Sequence, residues 1–356
     1  GYYATGSQNT FVGSEAGKGG TTSAPFSSGQ NNTALGYQAL TAFTTAGGNT
    51  AIGYQSGDSI TTGGNNALLG YQAGSALVGG GTNIAIGYQP LYLGTANSNA
   101  IAIGGRAGYN SQASYNVYVG YSAGRENRVG IEQTYIGKSA GYYARGSYNT
   151  FVGSDAGKGG TTSAPFSSGQ NNTAVGYEAL KAFTTGTSTA LGYQAAYSTT
   201  SGNVTAIGYQ AGYSHTINYY GIYIGTQAGK NIANDQNTVV GDLAMSGGDT
   251  TAANNSVSSV VAVGYKAYGG ATGAGDDIDG HTAVAVGTNA LSKITSGNYN
   301  VAIGASALSV HTTGDSNIAI GASAMNDNDQ SAATLSSHNN IFIGKDSGGG
   351  TWTTAA

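Results

Sequence analysis

The acidic segment GDDIDGH, residues 275–281, has the residue types of a calcium-binding loop. Asp276, Asp277 and Asp279 offer carboxylate oxygens, and Gly280 offers the glycine that such a loop needs for its turn. The bidentate glutamate that completes a calcium loop of this kind does not follow at the required position. The segment therefore predicts either a weak calcium site or a solvated acidic loop.

Other residue types that perform catalysis are few, and their spacing does not suggest a reaction. The four histidines stand at unrelated positions: His215, His281, His311 and His338. GSEAGKGGTT, residues 13–22, resembles a phosphate-binding loop, but Val12 occupies the place of the first glycine of that motif. The chain has no cysteine, and its sixteen acidic residues do not form the carboxylate cluster of a polysaccharide-cleaving enzyme. We therefore expect no catalytic residue, no cofactor and no enzymatic activity.

A column of tyrosines is the most distinctive candidate for a binding surface. Its members each follow a glycine that recurs along the chain: Tyr37, Tyr54, Tyr71, Tyr88, Tyr121, Tyr177, Tyr193, Tyr209 and Tyr265. If the repeats stack, these rings form a ladder in which each neighbouring pair contributes about 0.5–1 kcal/mol. The column predicts either this stabilising role or an aromatic surface that binds glycans or another surface. Residues 18–30 and their copy at 158–170 are further candidates, because loops often carry binding.

The recurring glycine defines a repeat that spans the whole chain. It occurs at 13, 36, 53, 70, 87, 104, 120, 137, 153, 176, 192, 208, 225, 241, 264, 287, 304, 321 and 344. Successive copies are 16 or 17 residues apart, except for five steps of 23 residues. Residues 1–45 also return almost unchanged as residues 141–185. Such spacing predicts a single repeat solenoid over residues 1–356 without a separate globular domain.

Composition agrees with short strands joined by tight turns. The chain of 356 residues has 62 glycines, 8% charged residues and a net charge of −4. Its twelve lysines and arginines are spread thinly, so we expect no nucleic-acid binding. No apolar run reaches the roughly 18 residues of a membrane span, so we expect no membrane insertion. The chain begins with glycine and shows no capping repeat, so we expect an excised segment or subunits that stack end to end.

The residues around the glycine predict a strand and a corner. The residue before it is Ile, Val or Leu in all nineteen copies, and we expect this column to fill the core. Representative members are Ile52, Leu69, Ile86, Ile103, Val175, Ile207, Ile303 and Ile320. We expect the glycines to adopt positive φ or to approach a neighbouring backbone closely. Examples are Gly36, Gly53, Gly70, Gly87 and Gly104.

Two further columns complete the predicted coil. The residue two before the glycine is Ala in eleven copies and aromatic in six, and we expect it on the opposite face from the core. There the alanines would let another chain approach, and the aromatic residues would fill a wider centre or face solvent. Asn precedes the strand in twelve copies, which predicts either a left-handed turn residue or a ladder of stacked amides.

The motifs NTAIGYQSG (49–57), NVAIGASAL (300–308) and NIAIGASAM (317–325) resemble a known family. They are similar to the head repeats of trimeric autotransporter adhesins, the YadA-like haemagglutinin/invasin repeats, and to repeats of phage and viral tail-fibre proteins. The resemblance covers essentially the whole chain. It implies an all-β, left-handed parallel β-roll of about nineteen coils in which three chains pack side by side.

Three functions follow as expectations. The first is a non-catalytic fibre or adhesin segment on a cell or virion surface, with itself and a host-surface glycan or receptor as partners. The second is a self-assembling extracellular filament whose subunits stack end to end. The third and most remote is a polysaccharide-processing solenoid.

Overall fold

The computed structural model describes residues 1–20, 26–160, 166–214, 220–232, 236–246, 257–269, 282–326 and 337–349. Within these ranges the regular secondary structure consists of nineteen short β-strands, one per repeat, and includes no helix. The chain forms two compact units, Gly1–Tyr177 and Glu178–Ala356. Both units are built from the same kind of coil.

The first unit contains ten strands. They are β1 (Thr10–Val12), β2 (Thr33–Leu35), β3 (Thr50–Ile52), β4 (Ala67–Leu69), β5 (Ile84–Ile86), β6 (Ile101–Ile103), β7 (Val117–Val119), β8 (Thr134–Ile136), β9 (Thr150–Val152) and β10 (Thr173–Val175). Each strand pairs in parallel with the next one along the chain. Equivalent repeat positions are partners, as in the pair Ala34 and Ala51. This arrangement is a parallel β-solenoid.

The second unit repeats this architecture with nine strands. They are β11 (Thr189–Leu191), β12 (Asn203–Ile207), β13 (Tyr220–Ile224), β14 (Thr238–Val240), β15 (Val261–Val263), β16 (Val284–Val286), β17 (Val301–Ile303), β18 (Ile318–Ile320) and β19 (Ile341–Ile343). Parallel pairing again joins each strand to its successor. β-Branched residues dominate the outward positions of these strands, which suits their short extended conformation.

A glycine ends each strand because the corner that follows requires one. The five representative glycines, Gly36, Gly53, Gly70, Gly87 and Gly104, have φ angles between 127° and 135°, as predicted. A Cβ atom on Gly36 would lie 2.5 Å from the carbonyl oxygen of Gly53 in the next coil. Positive φ and close approach of the backbones therefore act together at this position.

The predicted core column was wrong, because the strands turn the opposite face inwards. Leu69, Ile86, Ile103 and Ile303 are exposed by 46%, 36%, 38% and 39%, respectively. The other four members of that column are half-buried on the same face: Ile52, Val175, Ile207 and Ile320. The residue two before the corner glycine points inwards instead, and Ala34 and Ala51 at this position are completely buried. We call it the middle residue, because it is the centre of every strand except the longer β12 and β13. The interior of the thin coil has space only for this residue and for the segment on the opposite side of the same coil. On the outer face the size of a side chain is not limited.

The aromatic residues at the middle position also lie inside the coil. This corrects both expectations for them, which were that they fill a wider centre between chains or face solvent. Tyr118, Tyr135, Phe151 and Tyr223 are completely buried. The two remaining members, Phe11 and Phe342, are partly buried. Burial raises the pKa of the Tyr135 hydroxyl well above its usual range, so this group stays protonated. It donates a hydrogen bond of 2.8 Å to Oε1 of Gln133.

Residue size is balanced across the coil. Every aromatic residue that stands two before a corner glycine is followed six positions later by another glycine: Gly17, Gly124, Gly141, Gly157, Gly229 and Gly348. A Cβ atom on Gly141 would overlap the ring of Tyr135. Where the middle residue is alanine, the position six residues later often carries a larger buried side chain, as Leu40 does after Ala34. The interior is therefore filled by complementary pairs.

A ladder of buried asparagines stiffens the interior beside the strands. The backbone N–H of Asn49 donates to Oδ1 of Asn32 at 3.0 Å, and Asn66 and Asn83 repeat this bond on the following coils. The side-chain amide of Asn66 also donates to the Gly80 carbonyl at 3.0 Å. The ladder interpretation is confirmed, whereas the left-handed conformation belongs to the residue before these asparagines, as at Asn65. These bonds satisfy polar groups that have no access to water.

Candidate functional site

The tyrosines after the corner glycines form stacked ladders on the surface. In the first unit the ring centroids of Tyr37, Tyr54, Tyr71 and Tyr88 are 5.3, 5.1 and 5.3 Å apart. In the second unit the rings of Tyr193 and Tyr209 are 5.1 Å apart and nearly parallel. The other members of the predicted column, Tyr121, Tyr177 and Tyr265, are also exposed. The predicted stacking is thus present within each unit.

Stacking changes what these tyrosines can offer to a ligand. The planes of Tyr54 and Tyr71 differ by only 6°, so the face of each ring is covered by its neighbour. Solvent meets the ring edges and hydroxyl groups, and about half of the Tyr88 surface remains exposed. The ladder therefore presents hydrogen-bonding groups in a row rather than a series of open aromatic faces.

A ladder of glutamines runs beside the tyrosines. Nε2 of Gln55 donates to Oε1 of Gln38 at 2.9 Å, and Gln72 and Gln89 continue the series at 2.9 and 2.8 Å. These glutamines have φ angles near 50°, a left-handed conformation that costs non-glycine residues roughly 1–2 kcal/mol. Glu15 starts the ladder, and the hydrogen bond from Gln38, followed by the nearby Lys18 charge, lowers its pKa.

The second unit contains a related ladder that begins at Glu178. Nε2 of Gln194 donates to Glu178 at 2.7 Å, and Nε2 of Gln210 donates to Gln194 at 2.9 Å. Lys181 donates to the same carboxylate at 2.5 Å and lies over the Tyr197 ring. Burial lowers the pKa of Lys181, but its bonds to Glu178 and Tyr197 outweigh burial and raise it overall.

A second surface column mixes tyrosines with arginines. Tyr92 and Tyr109 stack at 5.1 Å, and the Arg125 guanidinium carbon lies 5.4 Å from the Tyr109 centroid and 5.4 Å from that of Tyr142. The guanidinium of Arg125 donates to the Tyr142 hydroxyl. Arg106 lies 5.9 Å from the Tyr109 centroid and 5.9 Å from that of Tyr88. These cation–π contacts connect the two surface columns.

Two more arginines extend this charged surface. Arg128 and Arg145 occupy the same repeat position in successive coils, in the register that pairs β7 with β8. Arg145 stacks over the Phe166 ring at 3.4 Å, and its Nε donates to the Glu126 carbonyl at 2.9 Å. Sequence interpretation missed this group by treating the basic residues as spread thinly. The signal was available, because all four arginines of the chain fall between residues 106 and 145.

The outward face of the strands carries a second surface feature, an apolar one. On three-residue strands such as β4 and β5 it consists of the first and third residues, which alternate with the buried middle residue. On β4 and β5, Leu69, Ile84 and Ile86 are exposed by 46%, 38% and 36%. Exposed aliphatic side chains in adjacent register form the type of surface that proteins use for association.

The residues considered for catalysis or metal binding are not assembled into a site in the described ranges. His311 is buried and forms a hydrogen bond of 2.9 Å with Ser337. His338 lies 3.4 Å from the Asp315 carboxylate. His215, His281 and the calcium candidates Asp276, Asp277 and Asp279 lie outside the described residues. Among those described, no group of three acidic or histidine side chains is arranged to hold a metal ion.

No protein-family model, curated protein or solved structure matches this chain. The described part of the chain contains no helix that is long and apolar enough to cross a membrane. The arguments about function therefore rest on the surfaces themselves.

Proposed function

We propose that this chain is a non-catalytic segment of a fibre or adhesin on a cell or virion surface, and that three copies pack side by side. The proposal includes a left-handed coil of 16–17 or 23 residues. It also includes an extracellular location and a surface glycan or receptor as partner. The resemblance to trimeric adhesin heads and tail-fibre repeats motivates these finer features.

The single observation that carries the proposal is the exposed aliphatic face of the strands. The interior is already filled by the middle residues and their partners, so the outward Ile, Val and Leu side chains contribute little to the core of one chain. They nevertheless occur at every coil. Burying each against another copy would gain about 25 cal/mol per Å² of apolar surface. Since the face repeats with the coils, a second copy offers a matching surface, as symmetric oligomers require.

Sedimentation equilibrium tests this assembly. We expect the purified chain to sediment at three times its monomer mass, and the variant Leu69→Thr/Ile86→Thr/Ile103→Thr to dissociate at the same concentration. Threonine already occurs at the neighbouring outward position, as at Thr50, so the coil should tolerate it. Val78→Thr/Val129→Thr is the matched control, because these exposed valines lie outside the strands.

The same experiment distinguishes the alternatives. A wild-type chain that remains monomeric at tens of micromolar would remove the basis for side-by-side packing. Mass that grows continuously with concentration, and that the three threonine substitutions leave unchanged, would favour the end-to-end filament. Release of reducing ends from a polysaccharide by the purified chain would contradict the non-catalytic assignment.

A further inference from the structure

Basic charge in this acidic protein is concentrated in one stretch of the first unit. Residues 101–160 carry six basic and three acidic residues, a formal charge of +3 in a chain whose total is −4. All four arginines lie here: Arg106, Arg125, Arg128 and Arg145. We refer to these four residues as the arginine cluster. Its position on successive coils makes it a local anion-attracting surface.

The charges of the arginine cluster are poorly compensated within the protein. Among the described residues, Arg106, Arg128 and Arg145 take part in no ion pair, and Arg125 approaches only Glu126, at 3.9 Å. Burial lowers the pKa of Arg145, and repulsion from Arg128 lowers it further, while Glu126 opposes the change. Four positive charges with a single nearby carboxylate, Glu126, would be stabilised by an external anion.

The packing of the cluster restricts which anion fits. Arg125 is held between the rings of Tyr109 and Tyr142, and Arg145 lies on the face of Phe166. The flat faces of these groups are therefore occupied by one another. What remains for a ligand is the guanidinium N–H groups that do not already donate to Tyr142 or to the Glu126 carbonyl, together with the tyrosine hydroxyls. Such edges suit carboxylates, sulfates and hydroxyl groups. Nucleic-acid bases would need open ring faces on which to stack.

The spacing of the cluster indicates an extended ligand. Its members come from three successive coils, and the stacked rings beside it, Tyr92 and Tyr109, are 5.1 Å apart. A linear polysaccharide advances by a similar length with each sugar ring, so its charged groups can meet arginines on successive coils.

We propose that the arginine cluster, with Tyr109 and Tyr142, is a binding site for a linear acidic polysaccharide that carries carboxylate or sulfate groups. This inference rests on the proposed role as a surface fibre and specifies the chemistry of its glycan partner. The polysaccharide lies along the stack of coils, and guanidinium N–H groups donate to its acidic groups.

The repeat itself supplies substitutions that should preserve the coil. Arg106→Gln restores the glutamine of the adjacent ladder, and Arg125→Tyr restores the tyrosine of its column. Arg128→Thr introduces threonine, which already occurs at the same repeat position of another coil, at Thr44. Arg145→Thr restores the residue of the duplicated copy, Thr5. The control variant replaces four basic residues outside the cluster by glutamine: Lys230, Lys266, Lys293 and Lys345.

Binding is measured by isothermal calorimetry against polygalacturonate, dextran sulfate, neutral dextran and oligo(dT) at two salt concentrations. We expect the wild-type chain to bind at least one of the two acidic polysaccharides, and the responding polymer identifies carboxylate or sulfate as the preferred group. The dissociation constant should rise at least tenfold in the quadruple arginine variant and stay within twofold in the lysine control. Added salt should weaken the interaction.

Several results would overturn the site. The first two are no binding to either acidic polymer and binding to neutral dextran that is as tight as to the acidic polymers. The others are tighter binding to oligo(dT) and a loss of affinity in the lysine control equal to that in the quadruple arginine variant. Sedimentation of the quadruple variant separates this inference from the fibre proposal, because the cluster lies outside the strands and assembly should be unchanged. A chain that fails to form a trimer but binds the polysaccharide through these arginines would refute only the assembly.

Discussion

Two adjacent residues on β8 provide a sharp test of which strand face forms the interior. Tyr135 is completely buried, stacks on Phe151 with centroids 4.9 Å apart, and bonds to Gln133, whereas Ile136 is 39% exposed. Tyr135→Ala should lower the free energy of unfolding by about 3–5 kcal/mol, the usual cost of removing a buried aromatic ring. Ile136→Ala should cost about 1 kcal/mol, because full burial of an aliphatic side chain contributes only about 1.5–3 kcal/mol.

The residue opposite Tyr135 extends this test to the complementary pairs. Gly141→Leu alone should be strongly destabilising, because its side chain would overlap the Tyr135 ring. In the Tyr135→Ala background the same leucine should enter the vacated space, as Leu40 does opposite Ala34. Leu40 has a φ angle of 53°, so a left-handed leucine fits this corner. After the roughly 1–2 kcal/mol cost of that conformation, we expect a recovery of about 1–2 kcal/mol.

Hydrogen exchange of the coils around residues 130–145 is the appropriate assay, because repeat proteins need not unfold in a single step. Measurements belong at a protein concentration below self-association, so that loss of an interface does not add to the Ile136 effect. A larger cost for Ile136→Ala than for Tyr135→Ala would refute the inward position of the middle residue. An identical effect of Gly141→Leu in both backgrounds would refute the pairing across the coil.

Two further predictions concern polar groups. Asn66→Ala should lower the free energy of unfolding, measured by hydrogen exchange of its coil, by about 2–4 kcal/mol, because its side chain bonds to several buried partners. Gln72→Ala, in the half-exposed ladder, should cost less than about 1 kcal/mol, and equal effects would contradict this ranking. Burial raises the pKa of Asp58 more than its Ser75 hydrogen bond lowers it. Its ionisation therefore reduces stability as the pH rises from below its unfolded pKa through the folded pKa. Asp58→Asn should raise the urea midpoint at pH 7 but not at pH 3. A gain at pH 3 alone would show that ionised Asp58 stabilises the fold, which is the opposite of this prediction.

The architecture could be predicted from the sequence because it depends on periodicity. The corner glycines set the coil boundaries, and β-branched residues before them mark the strands. The positive φ of Gly36 and the close approach to Gly53 follow from the need for glycine at every corner. The amide and tyrosine ladders follow in the same way, because identical residues at one repeat position become neighbours when coils stack in register.

Which strand face points inwards could not be predicted from hydrophobicity alone. Alternation puts Leu35 and Ala34 on opposite faces, and the larger apolar side chain normally indicates the core. In this thin coil the limited volume matters more than the apolar surface, so alanine is inside and leucine outside. The informative signal is a relation between two repeat positions, since each of the six aromatic middle residues is matched by a glycine six positions later. Residues that compensate for one another in size must share a space.

Comparison of the two duplicated blocks shows where the chain has been free to change. Residues 1–45 and 141–185 differ at only six positions, and in the first copy none of the six is buried: Thr5, Gln8, Glu15, Leu35, Gln38 and Thr41. The interior pairs are identical in both blocks, because a change in either partner would leave a cavity or an overlap. The surface differences include Arg145 and Lys181 of the second copy, each in contact with an aromatic ring. A fixed interior with a variable exterior is what a repeat scaffold needs in order to acquire new binding chemistry without altering its fold.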